Sequence, residues 1–251
     1  AVGSGGVATS LTRQLSTFEA PGFFLTDTFG VTMEKENWSD EHMQLFMDGW
    51  LKEGISEDQV AKLDSERIEA LRKDVTAQQV CGYANRLDAA LFFIPASYAA
   101  ESAAGHAMLE KSIAALNKMK AFAPVLVVTQ SDLSHGFTLQ DLIEDLESMT
   151  EDHDAADEGD AADRSEGSKK VAELRSAVST KFGVEAKRVF FVLNYTKEAT
   201  RNFDQDLLIY RAMEAALVYA DERLDQEDLR NKRIAPSAAA TGAASPSVKK
   251  I

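Results

Sequence analysis

Four short apolar runs occur along the chain, each separated from the next by a longer stretch. They read FFLTD at residues 23–27, LDAALFFIP at 87–95, APVLVVTQSDL at 123–133 and RVFFVLNYT at 188–196. Apolar runs of this length, bounded by Pro, Gly or polar clusters, are typical of strands that are covered on both faces. The pattern therefore predicts four buried strands.

Helical periodicity fills much of the sequence between these runs. It predicts helices over residues 40–51, from 57 towards 79, over 101–122 and over 204–225. Ser56 and Gln59 form a capping-box pattern at the start of the second helix. Strands that alternate with long helices predict an α/β fold, in which a mostly parallel sheet lies between layers of helices.

Polar side chains close three of the four runs. Asp27 ends the first run, Thr129 and Asp132 lie in the TQSD that ends the third, and Asn194 lies in the LNYT of the fourth. Ligands of parallel sheets bind beyond the carboxyl ends of the strands. The sequence therefore predicts a binding rim where these strand ends meet.

The first of these strand ends has the form Asp-x-x-Gly, with Asp27 and Gly30 at its ends. A carboxylate in this position can hold Mg²⁺ through water, while the glycine lets its backbone N–H approach a terminal phosphate. The pattern fixes only two residues, and many strands end on Asp. An ordinary polar end to a strand is the alternative interpretation.

The TQSD segment offers a second kind of chemistry. The carboxylate of Asp132 can accept two hydrogen bonds from the N1–H and the exocyclic amine of guanine, which adenine does not offer. Alternatively, Asp132 caps the next helix with the help of Ser131. The side-chain amide of Asn194 can contact the edge of a base, and a turn residue is its alternative role.

Three stretches of the sequence are informative together, namely FFLTDTFG, VLVVTQSD and VLNYTKEATRNFDQDLLIYRAMEAALVYADERL. Taken in this order, they resemble the G domain of the interferon-induced protein 44 family, a branch of the P-loop GTPases. The last stretch is the most specific. The resemblance covers about residues 1–224, and we expect a partial G domain over residues 1–228. It implies a three-layer fold with a mostly parallel sheet flanked by helices.

The resemblance also implies a ligand, GTP or GDP with Mg²⁺, and a role for each strand end. Asp27 and Gly30 match the metal and phosphate switch. Thr129 and Asp132 match the base-recognition motif, and Asn194 matches the last base-side motif. Position 130 carries Gln where many GTPases have Lys, which weakens the implied selectivity for guanine.

The phosphate-binding pattern Gly-x-x-x-x-Gly-Lys-Ser/Thr does not occur in the sequence. In the family it would precede residue 1, so we expect a fragment that lacks this loop and the central strand before it. The segment GGVATSLT at residues 5–12 would then be a switch, with Thr9 as a metal ligand. A glycine-rich loop without a role is the alternative.

Composition narrows the possible partners. The formal net charge of −14 argues against nucleic acid, because an acidic chain repels phosphate backbones. No apolar stretch approaches the roughly 20 residues of a transmembrane segment, and the first residues do not resemble a secretory signal. The single cysteine, Cys81, fits a buried thiol in a reducing compartment. We therefore expect a cytoplasmic protein.

Two segments fall outside the predicted fold. Residues 151–170 are acidic and poor in apolar side chains, which predicts a solvated, disordered insertion at about 150–168. The stretch lacks the spacing of a calcium loop. Residues 235–251 form a low-complexity tail that we expect to be disordered.

Two further functions remain open from the sequence. The first is a pseudo-GTPase, an interaction scaffold that keeps the fold without nucleotide. The second, an unrelated doubly wound hydrolase, has little support, because no Gly-x-Ser-x-Gly elbow occurs and the four histidines lack metal-ligand spacing. His135 follows the TQSD segment closely enough to line a pocket, or it lies in a surface loop. The pattern identifies no catalytic residue.

Overall fold

The computed structural model describes residues 14–27, 40–51, 53–73, 87–97, 124–151, 164–193 and 200–234. Three strands of this part form a parallel sheet in the order β3 (Leu91–Pro95), β4 (Val125–Thr129), β5 (Val189–Phe191). Each strand lies inside one of the predicted apolar runs. The predicted α/β class is confirmed at this level, a parallel sheet flanked by helices.

The central strand β4 is buried on both faces. Its four apolar residues, Val125 to Val128, are all at most 1% exposed, although successive side chains point to opposite sides of a sheet. Three helices accompany the sheet, namely α5 (Leu139–Glu151), α6 (Glu166–Phe182) and α7 (Phe203–Ile234). Leu208, Ala212 and Ala216 of α7 join the same buried core as β4.

The helix α7 is longer than its periodicity predicted. It spans 32 residues and continues nine residues past the predicted end at position 225. The additional residues are mostly charged or amide side chains with good helix propensity, so they extend a helix without adding an apolar period. No helix in the ranges given above is long and apolar enough to cross a membrane.

The first predicted strand has a different setting from the one expected. β1 (Ser16–Ala20) and β2 (Phe23–Asp27) form a two-stranded antiparallel sheet of their own. Phe24 is 67% exposed and Leu25 is 44% exposed, so the prediction of a strand covered on both faces is wrong. An apolar run indicates a strand, but it does not show which sheet the strand joins.

A second, smaller core lies beside this hairpin. The helices α1 (Asp40–Met47), α2 (Glu57–Val60) and α3 (Ser65–Lys73) contribute Leu45, Val60 and Ile68 to it. The predicted capping box is confirmed, since the Gln59 N–H donates to the Ser56 hydroxyl and the Ser56 N–H donates to the Gln59 side chain.

Two predicted helices end differently from expectation. The first stops at Met47, four residues early, and Gly49 follows with a φ of 72° that ends a helix. The second is broken into α2 and α3 by the turn between them. The predicted helix over 101–122 lies outside the described residues, as do Cys81 and the tail from 235.

The helices α5 and α6 were not predicted, and α6 begins inside the segment expected to be a solvated insertion. Its first turn contains Ser168, which is fully buried, and Ser165 caps it by accepting the Ser168 N–H. Residues 152–163 of the expected insertion lie outside the described part. Acidic composition concealed the start of α6, because its apolar residues begin only at Val171.

A buried ion pair joins α5 and α6 to the sheet. Two guanidinium nitrogens of Arg175 donate to the two carboxylate oxygens of Asp145, and Nε of Arg175 donates to the carbonyl of Val189 at 3.1 Å. Burial raises the pKa of the Asp145 carboxyl, and the Arg175 charge opposes that rise. Each charge of the pair is therefore tolerated in the interior only while the other is present.

A second junction joins the N-termini of α5 and α6. One carboxylate oxygen of Asp141 accepts the Thr138 N–H at 2.8 Å, and the other accepts the Ser165 hydroxyl at 3.3 Å. A Cβ at Gly167 would overlap the Asp141 carboxylate. The carboxylate therefore lies against the first turn of α6. The hydrogen bonds from Thr138 are the main reason that the pKa of Asp141 is lowered from its ordinary value.

We predict that Asp145→Ala lowers the free energy of unfolding by about 3–5 kcal/mol, because it leaves the Arg175 charge buried without its partner. The double variant Asp145→Leu with Arg175→Met should recover most of this loss. Urea unfolding measures both. As a control, Glu69→Ala breaks the exposed pair with Lys73 and should leave the unfolding midpoint unchanged. A single Asp145 variant as stable as the wild type would refute a structural role for the pair.

We predict that Asp141→Asn destabilises the protein by about 0.5–1 kcal/mol at pH 7, near the low end for capping residues because solvent screens the site. The pKa of Asp141 is lowered in the folded state from 3.8, so the ionised form stabilises the fold. This contribution is complete above about pH 5 and is lost as the pH falls through and below 3.8. Unfolding curves of the variant and the wild type should therefore converge in acid, and a constant difference would contradict the assignment.

Candidate functional site

The carboxyl ends of the three parallel strands lie side by side. Pro95 at the end of β3 pairs with Thr129 at the end of β4, and the Val192 N–H just past β5 donates to the Val128 carbonyl at 2.9 Å. The hydroxyl of Thr129 donates to the carbonyl of Ile94 at 3.4 Å. This rim of the sheet is where the sequence predicted a binding site.

The chain leaves β4 through an unusual backbone conformation. Gln130 has a φ of 60° and a ψ of 32°, which is the left-handed region that side chains other than Gly seldom adopt. The short helix α4 (Ser131–His135) follows at once. Non-glycine residues held in this region are often found at functional sites. The backbone of Gln130 is therefore a reason to regard the TQSD segment as a candidate site.

The next residue, Ser131, is fully buried, and its Oγ makes no hydrogen bond within the described part of the chain. A buried hydroxyl without a partner costs about 1–3 kcal/mol. Such groups are rare, and a water or a ligand commonly satisfies them. Ser131 is thus a buried polar group at the rim whose hydroxyl has no partner among the described residues.

Asp132 lies on the solvent side of the same turn. Its side chain is exposed, and its backbone carbonyl accepts the Gly136 N–H at 3.1 Å. The alternative in which Asp132 caps the following helix is wrong for α4, because Gln130 is the N-cap and no side chain caps it. For α5 the capping residues are Thr138 and Asp141. The carboxylate of Asp132 is therefore not used as a cap.

Other predicted residues are not assembled at this rim. Asp27 ends β2 in the separate hairpin and is exposed, so the parallel sheet does not bring it beside Thr129. Thr9, Gly30 and Asn194 lie outside the described residues. His135 is exposed and stacks on Phe137, with 5.4 Å between the ring centroids.

The described part of the chain does not assemble a metal site. In the ranges given above, no three His, Cys, Asp or Glu side chains are grouped so that they could hold a metal ion. Asp27 is the one predicted Mg²⁺ ligand that is described, and a single carboxylate does not define a site. Asp132 is exposed and follows the buried Ser131 in the chain.

A small cavity lies inside the domain, between β5 and the helices α5, α6 and α7. Its volume is about 10 Å³, and Asp145, Arg175, Phe190 and Leu208 are among its lining residues. This volume holds one water molecule at most. The cavity therefore belongs to the buried ion pair and is not a nucleotide site.

The sequence predicts Thr129 and Asp132 as site residues, and it assigns no binding role to Gln130 or Ser131. Nothing in the sequence indicates the left-handed backbone of Gln130.

No family model, no curated protein and no solved structure matches the chain. A functional assignment therefore depends on the residues at the rim and on the resemblance of the sequence motifs.

We predict that Gln130→Gly raises the free energy of unfolding by up to about 1 kcal/mol, because Gly has no Cβ to strain the left-handed conformation. Gln130→Ala is the matched control, since it shortens the side chain but keeps the Cβ, and it should give no such gain. Urea unfolding of the three proteins tests this. Equal effects of Gly and Ala would show that the side chain and not the backbone conformation determines stability here.

Proposed function

We propose that the protein binds a guanine nucleotide at the carboxyl ends of β3, β4 and β5. The observation that carries the proposal is the TQSD turn at the end of the central strand, in which Gln130 has a left-handed backbone and the side chain of Asp132 is exposed. Carboxyl ends of parallel strands are the usual ligand sites of such sheets. The fold proposed for the whole domain is that of a P-loop GTPase.

Asp132 is the residue that selects guanine in this proposal. Its two oxygens accept hydrogen bonds from the N1–H and the exocyclic amine of the base, and such charge-assisted bonds are stronger than neutral ones. Thr129 holds the end of β4 against β3 through its bond to Ile94. Asn194, three residues beyond β5, is proposed to contact the base from the neighbouring strand end.

The proposal assigns no described residue to the phosphates. Asp27 ends β2 in the separate hairpin, so the metal and phosphate roles that the resemblance implies for Asp27, Gly30 and Thr9 are not part of the proposed site. A bound Mg²⁺ would neutralise part of the charge of the phosphates. We assign no residue to hydrolysis of GTP.

A second candidate function is a pseudo-GTPase scaffold that has kept the fold and binds proteins without nucleotide. It is favoured by one observation on the sequence, since Gly-x-x-x-x-Gly-Lys-Ser/Thr does not occur in the 251 residues. Backbone N–H groups and the lysine of that loop supply much of the phosphate binding in P-loop proteins. Nucleotide binding distinguishes the two functions.

We predict that GTP with Mg²⁺ gives a saturable calorimetric titration, that ATP binds much more weakly, and that Asp132→Ala removes the binding. Asp132→Asn should lose about 10–100-fold in GTP affinity, because charge-assisted hydrogen bonds are lost. The same variant should gain affinity for XTP, since xanthine has a carbonyl where guanine has the amine and the Asn amide can donate to it.

The control for this titration is Asp225→Asn, which removes the same charge from an exposed position on α7. It should bind GTP as the wild type does. Absence of any GTP binding by the folded wild-type protein would reject the proposal and favour the scaffold. Binding that survives Asp132→Ala would reject the role of the TQSD turn.

A further inference from the structure

The long helix α7 carries an apolar stripe on its exposed side. Phe203, Tyr210, Leu217 and Leu224 follow one another at intervals of seven residues and are 77%, 58%, 40% and 42% exposed. Seven residues are close to two full turns, so these four side chains form a nearly straight row along the helix. We call this row the outer stripe.

The outer stripe lies opposite the face that packs on the sheet. Leu208, Ala212 and Ala216 are buried in the main core. At 100° per residue, Ala212 points about 160° away from Tyr210 and about 140° away from Leu217. The core therefore explains the inner residues of α7, and it does not explain why large apolar side chains recur on the outside.

The end of α7 extends beyond the packed part of the helix. Arg223 donates to the carbonyl of Leu87 at 2.6 Å. From Leu224 to Leu229, every side chain that the structure describes is exposed. Helices in water depend mainly on packing of an amphipathic face for their stability. A partner on the outer stripe would supply that packing to the last turns.

Carboxylates accompany the outer stripe along its length. Those on the same side of the helix are Asp206, Glu214, Asp221, Asp225 and Asp228. Glu214 pairs with Arg211 and Asp206 pairs with Arg201. Two such faces from two copies would bring acids against acids, in a chain of net charge −14. A helix with basic side chains beside its apolar row complements the surface instead.

We propose that the outer stripe of α7 is a docking site for a basic amphipathic helix of another protein. Apolar side chains of the partner pack between Tyr210, Leu217 and Leu224, as side chains of two helices interdigitate in a coiled coil with a seven-residue repeat. Lys or Arg side chains of the partner face Asp221 and Asp228. The proposal does not depend on nucleotide binding.

The test uses the whole chain and a designed peptide of 21 residues as the probe. The peptide carries Leu at alternating intervals of three and four residues, with Lys on both flanks, and a fluorophore reports binding by anisotropy. A second peptide with Glu for Lys controls for charge. The protein variants are the pair Leu217→Ala with Leu224→Ala, and the pair Asp221→Asn with Asp228→Asn.

The matched control is Leu133→Ala, which truncates a Leu that is 78% exposed on α4 and away from the outer stripe. We expect the Lys peptide to bind the wild type and the control equally. The leucine pair should weaken binding by at least about tenfold, as interface anchors do. The aspartate pair should weaken it less, and should reduce its sensitivity to salt. Circular dichroism checks that each variant keeps its helices.

Three results would overturn the proposal. The first is no binding of the Lys peptide to the folded wild type. The second is binding that the leucine pair leaves unchanged, because an acidic protein can attract a basic peptide without a docking site. The third is a dimer of the protein alone, seen by sedimentation and lost in the leucine pair, which would assign the outer stripe to a second copy of the chain.

Discussion

Burial of β4 on both faces, where Val125 to Val128 are at most 1% exposed, is the constraint on which the rest of the main core depends. A strand that is apolar on both faces has to lie inside the packed layers, and β4 is the central strand of the three. Hydrogen bonding to β3 on one side and β5 on the other then places the three carboxyl ends together. The position of the TQSD turn follows from this burial.

The helices between β4 and β5 are held by polar contacts rather than by apolar area alone. Arg175 reaches from α6 to Asp145 on α5 and to the backbone of Val189 at the start of β5. Its guanidinium carbon also lies 5.7 Å from the ring centre of Phe191. Three consecutive elements thus share one side chain. Because charge burial is costly, such a pair specifies an arrangement more than it adds stability.

Some elements of this structure can be predicted from local sequence patterns, and others cannot. Apolar runs located β3, β4 and β5, because a buried strand has to be apolar at nearly every position. The Ser56–Gln59 capping box was found because it consists of local side-chain bonds. The start of α6 was missed since polar residues such as Ser165 and Ser168 form its first turn. The pairing of β2 was also missed, because strand pairing is set by distant parts of the chain.

At the candidate site too, some features are predictable from residue types and others depend on the tertiary structure. Residue types alone predicted Thr129 and Asp132 as site residues, whereas the backbone of Gln130 and the burial of Ser131 follow from the tertiary structure. Both features are unfavourable for stability, one through a Cβ in the left-handed region and the other through a buried hydroxyl that makes no hydrogen bond with the described residues. Two such costs in adjacent residues are unusual, because most local features of a natural sequence agree with its fold. Their position at the end of the best-buried strand, where neighbouring strands hold the backbone in place, is what a preorganised binding turn requires.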